Sequence, residues 1–343
     1  MTAESVKKEK RLERLDRGIK VRSETIYGLA TWRELCFLVM PHTLFIGVIL
    51  LMPILLDPFP YWQRVFALAG VYALLALSFD FLAQYVGLVC LGLSLFVGCG
   101  AYVAGILNDS FGMSPLLTIP IASVVGAAIC TAVFYPCLRL RGIYFAIISF
   151  MIPMLAKNLI IAFNVFGGTE GLTALDYLPK AFHFEQYFIL AAMIAILFVM
   201  RRLVIEDTGL VFRAVKDNDQ AVRASGINVT YYRAKAVFVA SLIGCFGGAY
   251  LCHYNGMVGI SMFALDYTIL PIAATVMGGP GTLVGPVVGA LVLLPISEAL
   301  RDLGQLRVVI YCVVLIGFIV YKPEGLMNYI TRKYEQFEHW KEV

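Results

Sequence analysis

The stretch Gln186-Tyr187-Phe188-Ile189-Leu190-Ala191-Ala192-Met193-Ile194-Ala195-Ile196-Leu197-Phe198-Val199-Met200, closed by Arg201-Arg202, decides the fold class. Taken over 186–204 it carries no charge before that arginine pair and approaches the roughly 20 apolar residues that cross a bilayer as one helix. The rest of the chain repeats its composition. Of 343 residues, 60% are hydrophobic and 15% charged, with a mean hydropathy of +0.82, whereas soluble domains run near a quarter charged. A water-soluble fold of this size does not hide so much apolar surface. At roughly 20 residues per span, the apolar content suits about ten spans. The reading is an all-α polytopic membrane protein, and it excludes a soluble enzyme, a nucleic-acid-binding module and a secreted disulfide scaffold.

Working outward from 186–204, hydropathy places spans at 36–56, 61–82, 88–107, 115–138, 143–163, 186–204, 236–257, 262–277, 283–301 and 306–321. Ten spans return the C-terminus to the side of the N-terminus. Lys and Arg test the orientation, because they concentrate in cytoplasmic loops. Nine lie in the N-terminal tail, two in 139–142, seven from Arg201 to Lys235 and four beyond 321, which puts 22 of 27 on one side. Both termini are therefore expected in the cytoplasm. The organisation is a polar basic tail over 1–35, a transmembrane domain over 36–321 containing a cytoplasmic loop at 205–235, and a cytoplasmic tail over 322–343. No apolar run precedes the basic tail, so no cleaved signal peptide is expected. The tail suits a solvated segment or an interfacial helix, with lipid contact as the other reading.

The cysteines fall in or at the ends of apolar spans without Cys-x-x-Cys spacing, as small buried hydrophobes do. The histidines, at 42, 183, 253 and 339, are too scattered for a metal site. Asn228-Val229-Thr230 fits a glycosylation sequon, but on the cytoplasmic side it is a chance match. The chain has no Gly-x-x-x-x-Gly-Lys-[Ser/Thr] motif and no segment outside the spans long enough for a nucleotide-binding domain, so it binds no ATP through a P-loop. No hydrolase motif unites serine, histidine and acid.

Three glycine-rich clusters interrupt the apolar pattern. They are Gly87 to Gly92 with Ser94, Gly98, Gly100 and Tyr102; Gly244, Gly247 and Gly248; and Gly278-Gly279-Pro280-Gly281 followed by Gly285 and Gly289. Glycines four apart put small residues on one helix face and let backbones approach, which accounts for the second cluster. The first and third would break a helix near a membrane boundary. Broken helices are tolerated inside protein or against a water-filled cavity, and in transporters they line the substrate route. Pathway lining and tight packing both remain open for these two. Asp80, Lys157, Asp266 and Glu298 lie inside expected spans but near their ends, so structural placement is favoured over a proton relay.

Residues 205–235 are the most informative. Asp207-Thr208-Gly209-Leu210-Val211-Phe212-Arg213-Ala214-Val215-Lys216-Asp217-Asn218-Asp219-Gln220-Ala221-Val222-Arg223-Ala224-Ser225-Gly226 reads as one short helix stopped at Gly226. Small residues on a helix in a long loop suit docking into a groove of another protein. A plain solvated loop is the bland alternative.

This segment resembles the cytoplasmic coupling loop of ABC importer permeases of the branched-chain amino acid (LivM-like) family. Four further motifs agree in order and spacing: Leu91-Gly92 through Gly100-Ala101-Tyr102; Arg139-Leu140-Arg141-Gly142 with Tyr144-Phe145-Ala146; Gly167-Gly168-Thr169-Glu170-Gly171-Leu172; and Gly278-Gly279-Pro280-Gly281-Thr282 with Pro323-Glu324-Gly325-Leu326. Together they cover about residues 60–327. Where many members read Gly-Gln-Leu-Ser-Leu-Gly-His, this chain reads Gly87-Leu88-Val89-Cys90-Leu91-Gly92-Leu93, and Asp80 and Ile143 stand where Asn and Asp are usual.

The resemblance implies a multi-pass permease in a bacterial or archaeal cytoplasmic (cell inner) membrane, transporting branched-chain amino acids or related small amino acids and amides. It implies a related second permease, two cytoplasmic ATP-binding subunits holding ATP and Mg, and an extracytoplasmic solute-binding protein. This chain itself would have no cofactor, no nucleic-acid partner and no enzymatic role. Arg213, Asp217, Asn218, Ala221, Ala224 and Gly226 are then the expected ATPase contacts, and Gly92, Ser94, Gly100 and Tyr102 candidates for the substrate pathway. The rival is an ion- or proton-coupled secondary transporter or channel, which would make Asp80 and Asp266 its ion sites.

Overall fold

The computed structural model describes residues 57–301 apart from Arg141, Ala174, Lys180, Ala181 and Phe182, with residues 47, 52–54, 304, 306, 310, 313, 316, 317 and 325–327 besides. The tail 1–35 lies outside the described residues, as do most of 36–56, 306–321 and 322–343. The chain divides into a unit ending at Ile49 and one running from Leu50 to Val343, and the helices belong to the second.

Among the described residues the fold is all helix, with one isolated bridge between Leu172 and Val258. The helices are α1 Pro60–Asp80, α2 Leu93–Phe111, α3 Pro115–Phe134, α4 Ile143–Phe163, α5 Phe184–Ile205, α6 Asp207–Asp217, α7 Asp219–Ala224, α8 Val229–Asn255, α9 Asp266–Gly278 and α10 Val284–Ala299. A π-turn, Phe81–Val86, prolongs α1, and 3-10 turns occupy Tyr135–Arg139 and Ile260–Phe263. Proline in the first turn opens α1 and α3, where its missing N–H costs nothing. Left-handed residues at Gly112, Asn164 and Gly256 close α2, α4 and α8.

Among the described residues, six helices are long and apolar enough to cross a membrane: Pro60–Val86, Leu93–Phe111, Pro115–Arg139, Ile143–Phe163, Phe184–Ile205 and Val229–Asn255. Two of the expected spans depart from that. In place of 262–277 and 283–301 stand α9, of 13 residues, and α10, of 16. At 1.5 Å per residue these reach about 20 and 24 Å, short of a hydrocarbon core of about 30 Å. Hydropathy counted apolar residues whatever their backbone, and the 3-10 turn at Ile260–Phe263 and the turn between Gly278 and Leu283 use up the difference.

The span expected at 88–107 likewise starts late, because Gly87–Gly92 is not helical. Leu88 and Cys90 pack into the protein all the same, while Val89 between them is exposed. The backbone of this segment is met from inside the protein: Leu88 N–H donates to the Leu82 carbonyl (2.9 Å) and Leu91 N–H to the Ser149 hydroxyl on α4 (2.9 Å).

α1 and α8 form the centre. Of the most apolar stretches, 89% is buried for Pro60–Val86 and 78% for Val229–Asn255, against 22% for Ile143–Phe163, which is peripheral. Glycines let α8 sit this deep. A Cβ at Gly100 of α2 would strike the Cys245 backbone, one at Gly248 would strike the Val97 carbonyl, and one at Gly126 of α3 would lie 3.0 Å from Cys245 Sγ. The second cluster is thus helix packing. The third builds a hairpin, in which Gly278 abuts the Gly285 carbonyl and Gly289 the Ala274 carbonyl. Gly325 presses on Gly279, which joins the two halves of the last motif.

The described cysteines are free, with Cys90, Cys130, Cys245 and Cys252 buried. Glu298 accepts from Tyr61 Oη (2.6 Å) and Arg301 (2.8 Å), Asp266 opens α9, and Lys157 is half-buried on α4.

Substituting Gly100→Val should lower the thermal stability of the detergent-solubilised chain by an overpacking cost of about 1–3 kcal/mol. Gly259→Ala, whose Cβ meets only Ser261 Oγ at 3.9 Å, should leave it unchanged. Melting curves of the two variants beside the parent check this.

Candidate functional site

Arg233 and His253 stand twenty residues apart on α8, about 30 Å, and each anchors one end of the molecule.

At the His253 end, the Asp176 carbonyl lies 2.8 Å from His253 Nδ1 and Thr118 Oγ1 lies 2.7 Å from Nε2. A carbonyl only accepts, so Nδ1 carries the proton and Nε2 accepts from Thr118. Asn108 donates to Asp176 Oδ2 (2.9 Å) and accepts from its N–H (3.0 Å). The Gly167–Leu172 motif folds as a turn, with Glu170 and Gly171 N–H groups on the Gly167 carbonyl, and Leu172 pairs with Val258. Phe166, just before it, meets Tyr102 edge-on at 6.3 Å.

At the Arg233 end sits the 205–228 segment. Where one helix was expected there are two, α6 and α7, broken at Asn218. The Asn218 side chain accepts from the Gln220 and Ala221 N–H groups (3.0 and 3.1 Å), so it caps α7 and ends α6. Asn228, the chance sequon, caps α8 through Tyr231 N–H (3.2 Å). The chain does stop being helical before Gly226, which is left-handed.

This pair of helices is fixed from below. Phe212 is fully buried, with its ring edge-on to Phe81 (5.6 Å) and Tyr232 (6.2 Å). Val215, Val222 and Val229 form a small core with Val211 and Ile227 packed against it. Arg233, itself buried, divides its guanidinium between Asp219 (3.3 Å) and the Leu138 carbonyl (3.2 Å). That ties α7, α8 and the Tyr135–Arg139 turn together.

α6 also grips the π-turn. Lys216 Nζ donates to the Gln84 carbonyl (2.7 Å), and the Arg213 guanidinium lies over the Tyr85 ring at 5.4 Å. On the far side, the π-turn grips the hairpin turn. Asp80 Oδ1 accepts the Gly281 N–H (2.7 Å), and Tyr85 Oη donates to the Gly281 carbonyl (2.8 Å). Asp80 is fully buried, and its carboxylate is also faced by the Leu283 N–H and the Lys216 charge.

The six expected contact residues, Arg213, Asp217, Asn218, Ala221, Ala224 and Gly226, are all exposed. Phe212, Lys216, Asp219 and Arg233, which hold that surface in place, were not singled out from the sequence. Phe212 was legible as a lone aromatic among charges, in helical register with Val215. The Asp219–Arg233 pair spans a helix break and leaves no periodic signal.

The four pathway candidates all lie on or beside α2, in contact with several helices. Gly92 lies against the Ser149 carbonyl and the Phe134 ring, and Gly100 against Cys245. Ser94 is fully buried; its N–H meets Thr268 Oγ1 (3.2 Å) while its hydroxyl has no partner. Tyr102 stacks on Phe263 at 5.7 Å, and its buried hydroxyl also lacks a partner. A partly open cleft of about 10 Å³, room for one water, lies elsewhere between α1, α9 and α10, lined by Tyr72, Leu270, Ala274, Ala290, Leu293 and Leu294.

The family described as branched-chain amino acid transport system / permease component matches residues 61–321. The chain belongs to that family. It is 23% identical to the high-affinity branched-chain amino acid transport system permease proteins LivM of Salmonella typhimurium and Escherichia coli, over 288 and 290 residues. These matches cover 75% and 76% of this chain and 68% of each relative. A probable LivM of Methanocaldococcus jannaschii is 24% identical over 290 residues, 72% of this chain and 83% of its own length. No solved structure matches. Within this permease, the matched region takes in Asp80, the π-turn, the 205–228 segment and the Gly278–Leu283 turn.

Asp80→Asn keeps the Oδ1 acceptor for Gly281 and removes a buried negative charge, so the permease should hold its thermal stability. Asp80→Ala should lose about 1–3 kcal/mol by stranding the Gly281 N–H. Paired melting curves in detergent separate the two.

Proposed function

We propose that this permease is the membrane subunit of an ATP-driven importer for branched-chain amino acids or related small amino acids and amides. In this reading the 205–228 segment faces the cytoplasm and takes the push of the partner ATPases. The supporting observation is the form of that segment. Two helices present Arg213, Asp217, Asn218, Ala221, Ala224 and Gly226 to solvent, while Phe212 and Arg233 root them in the helical bundle. A surface that is exposed yet rigidly rooted is what transmits a push; a solvated loop absorbs it.

ATP and Mg would sit on two cytoplasmic ATPase subunits, and this chain would supply no catalytic group. A related second permease would complete the membrane body, and an extracytoplasmic binding protein would deliver the solute. The setting is a bacterial or archaeal cytoplasmic membrane with both chain ends inside. Alternating access then follows from ATPase closure moving α6 and α7. Gly92, Ser94, Gly100 and Tyr102 remain candidates for the route, with the partnerless hydroxyls of Ser94 and Tyr102 its polar points.

Gentle extraction of the tagged chain followed by mass spectrometry of what stays bound should recover a second permease and Walker-motif ATPases. Recovery of the chain alone would favour ion-coupled transport instead. In the reconstituted complex, Ala221→Trp should cut uptake per ATP hydrolysed at least about fivefold, the loss typical of a blocked contact point. Arg213→Glu should uncouple too, though it also removes the Tyr85 contact, so Ala221 is the cleaner probe. Parallel uptake and hydrolysis assays in proteoliposomes read both.

A further inference from the structure

We propose that the π-turn Phe81–Val86 is the joint that carries motion of α6 to the α9–α10 hairpin, with Tyr85 and Lys216 as its positioning residues. The proposal rests on the coupling reading above and names the route inside the chain.

The geometry is continuous. α6 holds the π-turn by three contacts of different kinds: Phe212 against Phe81, Lys216 Nζ on the Gln84 carbonyl, and Arg213 over Tyr85. Asp80, the last residue of α1, and Tyr85 of the π-turn in turn hold one glycine of the hairpin turn from both sides, Asp80 at the Gly281 N–H and Tyr85 at its carbonyl. Tyr85 therefore belongs to both grips, its ring facing Arg213 and its hydroxyl facing Gly281.

The π form makes this double grip possible. In an α-helix, residues five apart point about 140° away from each other. The i→i+5 bonding of a π-turn brings such residues onto one face, which is how Asp80 and Tyr85 reach the same glycine. The far side of the joint is built to move as a unit. Gly278 packs on the Gly285 carbonyl and Gly289 on the Ala274 carbonyl, so α9 and α10 touch backbone to backbone. A displacement at Gly281 is passed to both helices at once. The π-turn touches both partners, α6 through Phe81, Gln84 and Tyr85 and the hairpin turn through Tyr85.

The test uses the full complex of this permease with its partner subunits, reconstituted in proteoliposomes, with uptake and ATP hydrolysis measured on the same preparation. Tyr85→Phe removes the hydroxyl and keeps the ring, and Lys216→Met removes the donor and keeps the stem. Each should lower uptake per ATP hydrolysed by about threefold to tenfold, the range expected for one hydrogen bond, while the complex still co-purifies intact. Lys216→Arg should restore the ratio, because it restores a donor for the Gln84 carbonyl, and that rescue separates positioning from simple destabilisation. Wild-type ratios in both Tyr85→Phe and Lys216→Met, with Ala221→Trp uncoupled in the same assay, would overturn the joint and leave the coupling segment standing. A wild-type ratio in Ala221→Trp as well would overturn the coupling reading and the joint with it.

Discussion

When the Ser149 hydroxyl accepts the Leu91 N–H, the break in the helix at Gly87–Gly92 becomes tolerable. A backbone amide inside a bilayer has no water to fall back on, and an unmet one costs several kcal/mol. Among the described residues, the main departures from α-helix are therefore matched by partners inside the protein. Leu88 uses the Leu82 carbonyl, Leu172 and Val258 use each other, and Gly281 is met at both its N–H and its carbonyl. The broken segments are confined to the places where a neighbouring helix can reach them. Even α4 at the periphery takes part, because Ser149 on its buried face meets the Gly87–Gly92 break.

The same constraint shapes the packing. Lipid chains are as apolar as leucine, so helices associate through close fit. Here the fit is made by glycines that bring one backbone onto another, at Gly100 and Cys245, Gly248 and Val97, and Gly278 and Gly285. Side-chain polar groups then work at the two ends, with the His253–Asp176–Asn108 network at one and the Arg233–Asp219 pair at the other.

Much of this was legible in the sequence. The apolar stretches at 143–163 and 186–204 give helices within two residues of their expected ends, because a span of one composition bounded by glycine or charge has little freedom. The family was legible too, since glycine motifs keep their order and spacing. What hydropathy missed was backbone form, although the glycine clusters at 87–92 and 278–281 did mark helix breaks there. It reads Gly87–Gly92 and Ile260–Phe263 as apolar, which they are, and has no means of registering that they are not α-helical. Likewise the six surface residues of 213–226 stand out as small or polar, whereas their supports depend on contacts such as Lys216 to Gln84, separated by 132 residues. The expected single helix failed at Asn218, whose side chain competes for backbone N–H groups; a polar residue between two aspartates was the available sign.

The grip on Gly281 is made entirely on main-chain atoms, and this has a consequence for how such a protein can change over time. The two grips themselves do not read a side chain at Gly281, although its neighbours Gly279 and Thr282 are held by contacts of their own. A change in chain length is another matter. One residue more or fewer between Asp80 and Tyr85 would rotate the two grips apart, however conservative the inserted residue. The spacing between Asp80 and Tyr85 should thus be as fixed as the two residues themselves, and a single-residue deletion there should be as disruptive as losing either grip.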